Sequence, residues 1–125
     1  MTGLILVTHD GLGEAVRREA EHILGRPLTL TSVAISYRAN IGQALDQVRT
    51  AIALGADSDG ALVITDLPGA TPHNLAVEAA SDTRTRVVSG LNLPMLLKAV
   101  NHAARAPDAL AELVSTGGHQ GITVS

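Results

Sequence analysis

The chain has 125 residues, twelve acidic and nine basic side chains, a formal net charge of −3, no cysteine, no Phe or Trp, and a single Tyr. That length suits one domain, residues 1–125, whose core has to be aliphatic. The missing cysteines exclude disulfides and thiolate metal sites, and scattered basic residues without an aromatic stacking platform argue against nucleic acid as a partner. The first apolar run is too short and lacks the basic lead of a signal peptide, and no segment reads as a membrane span, so a cytoplasmic location without membrane insertion is expected.

Leu4-Ile5-Leu6-Val7 is an unbroken apolar run that predicts a strand buried on both faces. It stops at Thr8-His9-Asp10-Gly11, and a helical pattern follows in Leu12, Ala15, Val16, Ala20, Ile23 and Leu24. Gly25 is suited to end that helix, with Pro27 just beyond. Leu28 to Ser36 predicts a second strand, and Tyr37-Arg38-Ala39-Asn40 a loop in which Asn40 caps the next helix. Ile41, Ala44, Leu45, Val48 and Ile52 mark that helix, closed by Gly55, and Asp57-Ser58-Asp59-Gly60 is turn chemistry.

Ala61 to Thr65 predicts a third buried strand that ends at Asp66. The loop Leu67-Pro68-Gly69-Ala70 leads to Thr71-Pro72, read as an N-cap threonine and a proline at the first position of a helix to about Ala80. Thr85 to Ser89 is the fourth strand, stopped by Gly90, and a helix opens at Asn92 or Leu93 and runs through Val100. Pro107 starts a short fifth helix with Leu110 and Leu113, broken by Gly117-Gly118, after which Ile122-Thr123-Val124 reads as a small terminal strand.

Strands alternating with helices imply a parallel sheet with right-handed crossovers. A doubly wound α/β sheet of this size commonly has the order 2-1-3-4, which changes direction between strands 1 and 3. His9 ends the first of these strands and Asp66 the other, so the two are expected to face each other across the switch point. A carboxylate that accepts from one imidazole nitrogen fixes the tautomer and leaves the other nitrogen a free lone pair, the orienting logic of a triad with histidine as nucleophile. A phosphoryl group suits such a site, because its transfer needs positioning and charge stabilisation more than covalent help. The turn from Gly69 to Thr71 offers backbone N–H groups, a hydroxyl and a helix N-terminus to an anion, and Gly11 to Gly13 offers a second such end.

Other chemistries compete for the same residues. His9, Asp10 and Asp66 are possible metal ligands, although their spacing matches no regular closed site. Gly11-Leu12-Gly13 begins like a dinucleotide fingerprint, but the third glycine is missing and strand 2 does not end in an acid. Asp10 and Asp66 at strand ends also suit a phosphoacceptor receiver domain, but no lysine ends the last strand, and Lys98 lies inside a helix. His22, His102 and His119 read as solvated side chains. His73 falls in the first turn of the helix beside the proposed anion site, and a passive role is expected for it.

Three segments together resemble the EIIA component of the mannose-type (mannose/fructose/sorbose) phosphoenolpyruvate-dependent sugar phosphotransferase system. They are Leu6-Val7-Thr8-His9-Asp10-Gly11, Val63-Ile64-Thr65-Asp66-Leu67-Pro68-Gly69-Ala70-Thr71-Pro72-His73-Asn74 and Val88-Ser89-Gly90-Leu91-Asn92-Leu93-Pro94-Met95. The resemblance implies a phosphohistidine carrier that takes a phosphoryl group from the phosphocarrier protein HPr and passes it to an EIIB domain. It implies no metal and no cofactor. His9 falls on the family's phosphorylated histidine, Asp66 on the aspartate that orients it, and Gly69, Ala70 and Thr71 on the phosphate-binding turn. Leu12, Leu67, Pro68 and His73 fall on the surface that meets partner proteins. The family's four-stranded sheet forms homodimers that exchange a terminal strand, which matches the short apolar segment after Gly117-Gly118.

The chain departs from the pattern at Ala70, where a second glycine is common, and at His73 and Leu12, where aromatics occur. It ends after the EIIA-like unit, so the acceptor is expected to be a separate EIIB protein. Two functions follow from the resemblance. One is a relay for carbohydrate uptake; the other is a regulatory module whose His9 phosphorylation state controls another protein.

Overall fold

Strand β1 (Gly3–His9) is the axis of the sheet, and its alternating side chains divide the protein's interior in two. The structure, a computed structural model, describes residues 1–81 and 84–125. The remaining elements follow in chain order: α1 (Leu12–Leu24), β2 (Thr31–Ile35), α2 (Ile41–Gly55), β3 (Ala61–Thr65), α3 (Thr71–Ala79), β4 (Thr85–Ser89), α4 (Leu93–Asn101) and α5 (Pro107–Gln120). All strand pairs are parallel and the order is β2-β1-β3-β4, the doubly wound arrangement expected from the sequence.

Ile5 and Val7 of β1 pack with Val33, Val48, Ile52, Val63 and Leu75 under α2 and α3. Leu4 and Leu6 pack with Leu62, Ile64, Leu96, Leu110 and Val114 under α1, α4 and α5. Ile5, Leu6 and Val7 are wholly buried; each such side chain contributes about 1.5–3 kcal/mol relative to exposure. The same alternation sends His9 to the side of α2 and α3, while Thr8 turns to the other face and accepts the Gly13 N–H at 2.9 Å. Gly13 is therefore packed against strand side chains rather than open to an anion: a Cβ there would stand 2.9 Å from the Ser32 hydroxyl.

Local signals fixed most element ends. Asn40 caps α2 through its side chain, which accepts the Gln43 N–H at 3.0 Å, and Asn92 caps α4 by accepting the Met95 N–H at 3.0 Å. The second strand is shorter than the expected Leu28 to Ser36. Ile23, Leu12 and Ile41 are exposed rather than core residues; Leu12 and Ile41 open their helices at the carboxyl edge of the sheet, beyond the reach of either core.

The C-terminal reading needs correction. Gly117-Gly118 does not break α5, which continues to Gln120, and residues 122–125 form no strand within the chain. Both glycines are buried where α5 crosses α4, and an added Cβ would lie 2.4 Å from Lys98 Cγ or 2.5 Å from Met95 Cγ. Their task is close helix approach. An alanine in place of a helix-breaking glycine would stabilise by about 1 kcal/mol, whereas overpacking against buried Met95 costs about 1–3 kcal/mol. Gly118→Ala is thus expected to lower the thermal midpoint, and a raised midpoint in a melting experiment would restore the helix-breaker reading.

Candidate functional site

The site forms where β1 and β3 end side by side at the switch point of the sheet. His9 is the last residue of β1, and Asp66 follows β3 directly. Their side chains meet: His9 Nδ1 is 2.8 Å from Asp66 Oδ2. The same oxygen accepts the His9 backbone N–H at 2.9 Å, and Oδ1 accepts the Leu67 N–H at 3.0 Å. Asp66 is nearly covered, with 7% of its side chain exposed, against 21% for His9. Burial opposes charge on the Asp66 carboxyl, but the N–H groups of His9, backbone and ring, together outweigh it and hold the group below the usual carboxylate range. An ionised carboxylate can only accept, so Nδ1 carries a proton, and whenever the ring is neutral Nε2 is the nitrogen with the free lone pair. Nε2 has no hydrogen-bond partner among the described residues.

The loop after Asp66 is a type II turn. Pro68 and Gly69 occupy its centre, Gly69 has φ +80°, and the Ala70 N–H donates to the Leu67 carbonyl at 3.2 Å. Asn74 ties the turn to α3, its side-chain amide donating to the Gly69 carbonyl at 3.1 Å. The helix is capped by Ala70 in an extended conformation, not by Thr71, which is its first residue and makes no capping bond; Pro72 comes second. This shift of one position corrects the N-cap reading and leaves the exposed Thr71 hydroxyl without a hydrogen-bond partner among the described residues. Of the three expected phosphate-binding residues, Gly69 and Thr71 have backbone N–H groups without a partner among the described residues, whereas the Ala70 N–H is spent on the turn.

Leu12 and Leu67 are exposed, at 45% and 55%, and Pro68 is exposed as well, so these three are open to a partner. His73 is half-buried, with Nδ1 3.3 Å from the hydroxyl of buried Thr65. Asp10 is exposed and is the one described non-glycine residue with positive φ, 37°. Among the described residues no three His, Asp or Glu side chains gather into a metal-binding group. One neighbour had no signature in the sequence: the ring of Tyr37, in the loop after β2, is stacked on the His9 imidazole.

The sheet sets the oriented His9 imidazole beside a turn with two free N–H groups, and residues 3–116 match the family model EIIA-man, described as PTS system fructose IIA component. The chain belongs to that family. Its fold is similar to the mannose/sorbose specific IIA subunit of the phosphotransferase system from Enterococcus faecalis, at 26% identity and a TM-score of 0.90 over 99% of this chain and 94% of that one. It is also similar to phosphotransferase system component EIIA from Streptococcus agalactiae, at 29% identity and a TM-score of 0.81 over 99% and 97%. A sigma-54 interaction domain protein from Enterococcus faecalis shares the fold at 16% identity, with a TM-score of 0.75 over 95% and 91%. No curated protein matches the chain.

Proposed function

We propose that this chain is a phosphohistidine carrier, which accepts a phosphoryl group from HPr on His9 and passes it to a separate EIIB protein in carbohydrate uptake. The observation that carries the reading is the Asp66–His9 pair, in which Nδ1 is held at 2.8 Å and Nε2 is unopposed. In the forward step the Nε2 lone pair forms a bond to phosphorus as the P–N bond of the donor histidine breaks, and the donor imidazole leaves with the electron pair. His9 keeps its Nδ1 proton, so the phosphorylated ring is cationic and Asp66 offsets that charge. No proton has to be gained or lost, and one P–N bond replaces another, which makes the transfer readily reversible. The Gly69 and Thr71 N–H groups and the Thr71 hydroxyl supply donors to the phosphoryl oxygens. Leu12, Leu67, Pro68 and His73 form the surface around which donor and acceptor dock.

The experiment is a relay. Labelled HPr should transfer phosphate to the chain, and an added EIIB should discharge it. Labelling that no EIIB discharges would favour the regulatory reading, in which His9 controls another protein; the fold shared with a sigma-54 interaction domain protein speaks for that alternative. A cytoplasmic location goes with either reading, and no described helix is long and apolar enough to cross a membrane.

A homodimer is part of the proposal. Ile122 and Val124 are 72% and 98% exposed beyond α5, and β4 leaves one edge of the sheet unpaired within the chain. Exchange of this segment with a second copy would cover both. Sedimentation at micromolar concentration is expected to give a dimer for the full chain and a monomer once residues 122–125 are removed; a full-length monomer would dismiss the exchange.

A further inference from the structure

The loop after β2 brings to the site a residue that no motif announces. The Tyr37 ring lies against the imidazole of His9, with centroids 5.0 Å apart and planes inclined by 15°. Tyr37 is the only Phe, Trp or Tyr side chain in the sequence, so the chain's one carbocyclic aromatic ring sits on the candidate nucleophile and not in the core. The backbone holds it there. Register pairs His9 with Ile35, and the ladder continues one bond further, from the Asp10 N–H to the Ile35 carbonyl at 3.0 Å. Ser36 then closes a turn: its carbonyl accepts the Ala39 N–H at 3.1 Å, and its hydroxyl accepts the Arg38 N–H at 3.1 Å. Tyr37 rides on that turn beside the end of β1.

Burial does not account for the placement, because Tyr37 remains 76% exposed. Its hydroxyl makes no hydrogen bond among the described residues. Orientation does account for it. The bond from Nδ1 to Asp66 fixes one edge of the imidazole, but a hydrogen bond tolerates tens of degrees of tilt before it weakens steeply. A parallel ring against the imidazole face fixes the plane. The Nε2 lone pair lies in that plane, so a neighbour on the face steadies its direction without standing in the path of the phosphorus. In-line displacement depends on such alignment.

We propose that Tyr37 is a positioning residue for His9, its ring holding the imidazole plane that Asp66 alone leaves free to tilt. The kinetic part of the proposal rests on His9 as the phosphoryl acceptor; the geometric part does not. The phenol oxygen has no task in it, so Tyr37→Phe should behave as wild type, whereas Tyr37→Ala should not.

Two measurements test this on the full chain. In single-turnover transfer from phosphorylated HPr, Tyr37→Ala is expected to lower the saturating rate about threefold to tenfold, the range that the energy of one aromatic pair allows. Tyr37→Phe should restore it. In nuclear magnetic resonance of the unphosphorylated protein, the ring protons of His9 should lose the upfield shift of the stack in Tyr37→Ala, and its ring relaxation should show greater motion, with both recovered in Tyr37→Phe. A Tyr37→Ala protein with an unchanged saturating rate, or one that only needs more donor to saturate, would overturn the positioning role and leave docking. A phenylalanine variant that fails to rescue would overturn it too. If wild-type His9 takes no phosphate, the carrier reading fails first, and unchanged His9 ring motion in Tyr37→Ala would then overturn the geometric claim by itself.

Discussion

Replacing His9 by alanine is expected to leave a folded protein that takes no phosphoryl label from HPr. Asp66 keeps its two backbone donors, the residue 9 and Leu67 N–H groups, so the strand ends stay joined without the imidazole. Two other histidines are hydrogen-bonded to neutral oxygens rather than to an acid: His73 Nδ1 is beside the Thr65 hydroxyl, and His119 Nδ1 is 2.8 Å from its own helix's Ser115 carbonyl. Neither has a carboxylate to balance a cationic phosphorylated ring. The label on the wild type should be acid-labile and alkali-stable, as a P–N bond is, and should map to His9 by mass spectrometry under alkaline conditions. Label that survives in His9→Ala, or wild-type label found on His73 or Asp10, would sink the assignment.

The second large effect belongs to Asp66→Asn. The carboxylate accepts from the His9 N–H, the His9 ring and the Leu67 N–H. An amide of the same shape has one accepting oxygen, so whichever way it turns, its NH2 confronts a donor. If the NH2 faces His9, the ring must give up its Nδ1 proton, and the tautomer with a free Nε2 is lost. Transfer is expected to fall by as much as about 10⁴-fold, the loss seen when a triad carboxylate is made an amide. The fold should persist, weakened by about 1–3 kcal/mol for the unsatisfied group. The depressed native carboxyl also sets a pH signature. Between the ordinary value of about 3.9 and the lower native one, the unfolded chain binds the proton that the native chain refuses, so stability falls as pH falls. The wild-type advantage in thermal midpoint should be full near neutrality and shrink below about pH 4. An unchanged transfer rate together with an unchanged midpoint would remove Asp66 from the mechanism.

Much of the site was legible because it depends on strand ends. Once the apolar runs Leu4–Val7 and Ala61–Thr65 are read as adjacent parallel strands, the residues that terminate them must meet, and His9 and Asp66 do. The caps at Asn40 and Asn92 were legible for a related reason: the side chain bonds to its own helix. What escaped depends on a neighbour far along the chain. Gly117-Gly118 looks like an interruption until the α4 side chains that need the space are in view. Thr71 looks like a cap because hydroxyl and proline are adjacent, yet the turn at Gly69 starts the helix one residue earlier. Tyr37 looked like loop because stacking on a strand end has no periodicity to betray it.

The division of the interior by β1 has a consequence for how this protein can change over generations. The residues under α1, α4 and α5 reach His9 only through the sheet backbone, because the side chains on that face of β1 are Leu4, Leu6 and Thr8. A substitution there alters the protein's endurance and leaves the angle of one imidazole alone. Under α2 and α3, Val7 and Ile35 lie in the core on the face of β1 that carries His9, and Ile35 is paired with His9 in the sheet, so a substitution there bears on both stability and the candidate site. One half of the molecule therefore answers for stability, while the other answers for stability and for the geometry of the candidate site.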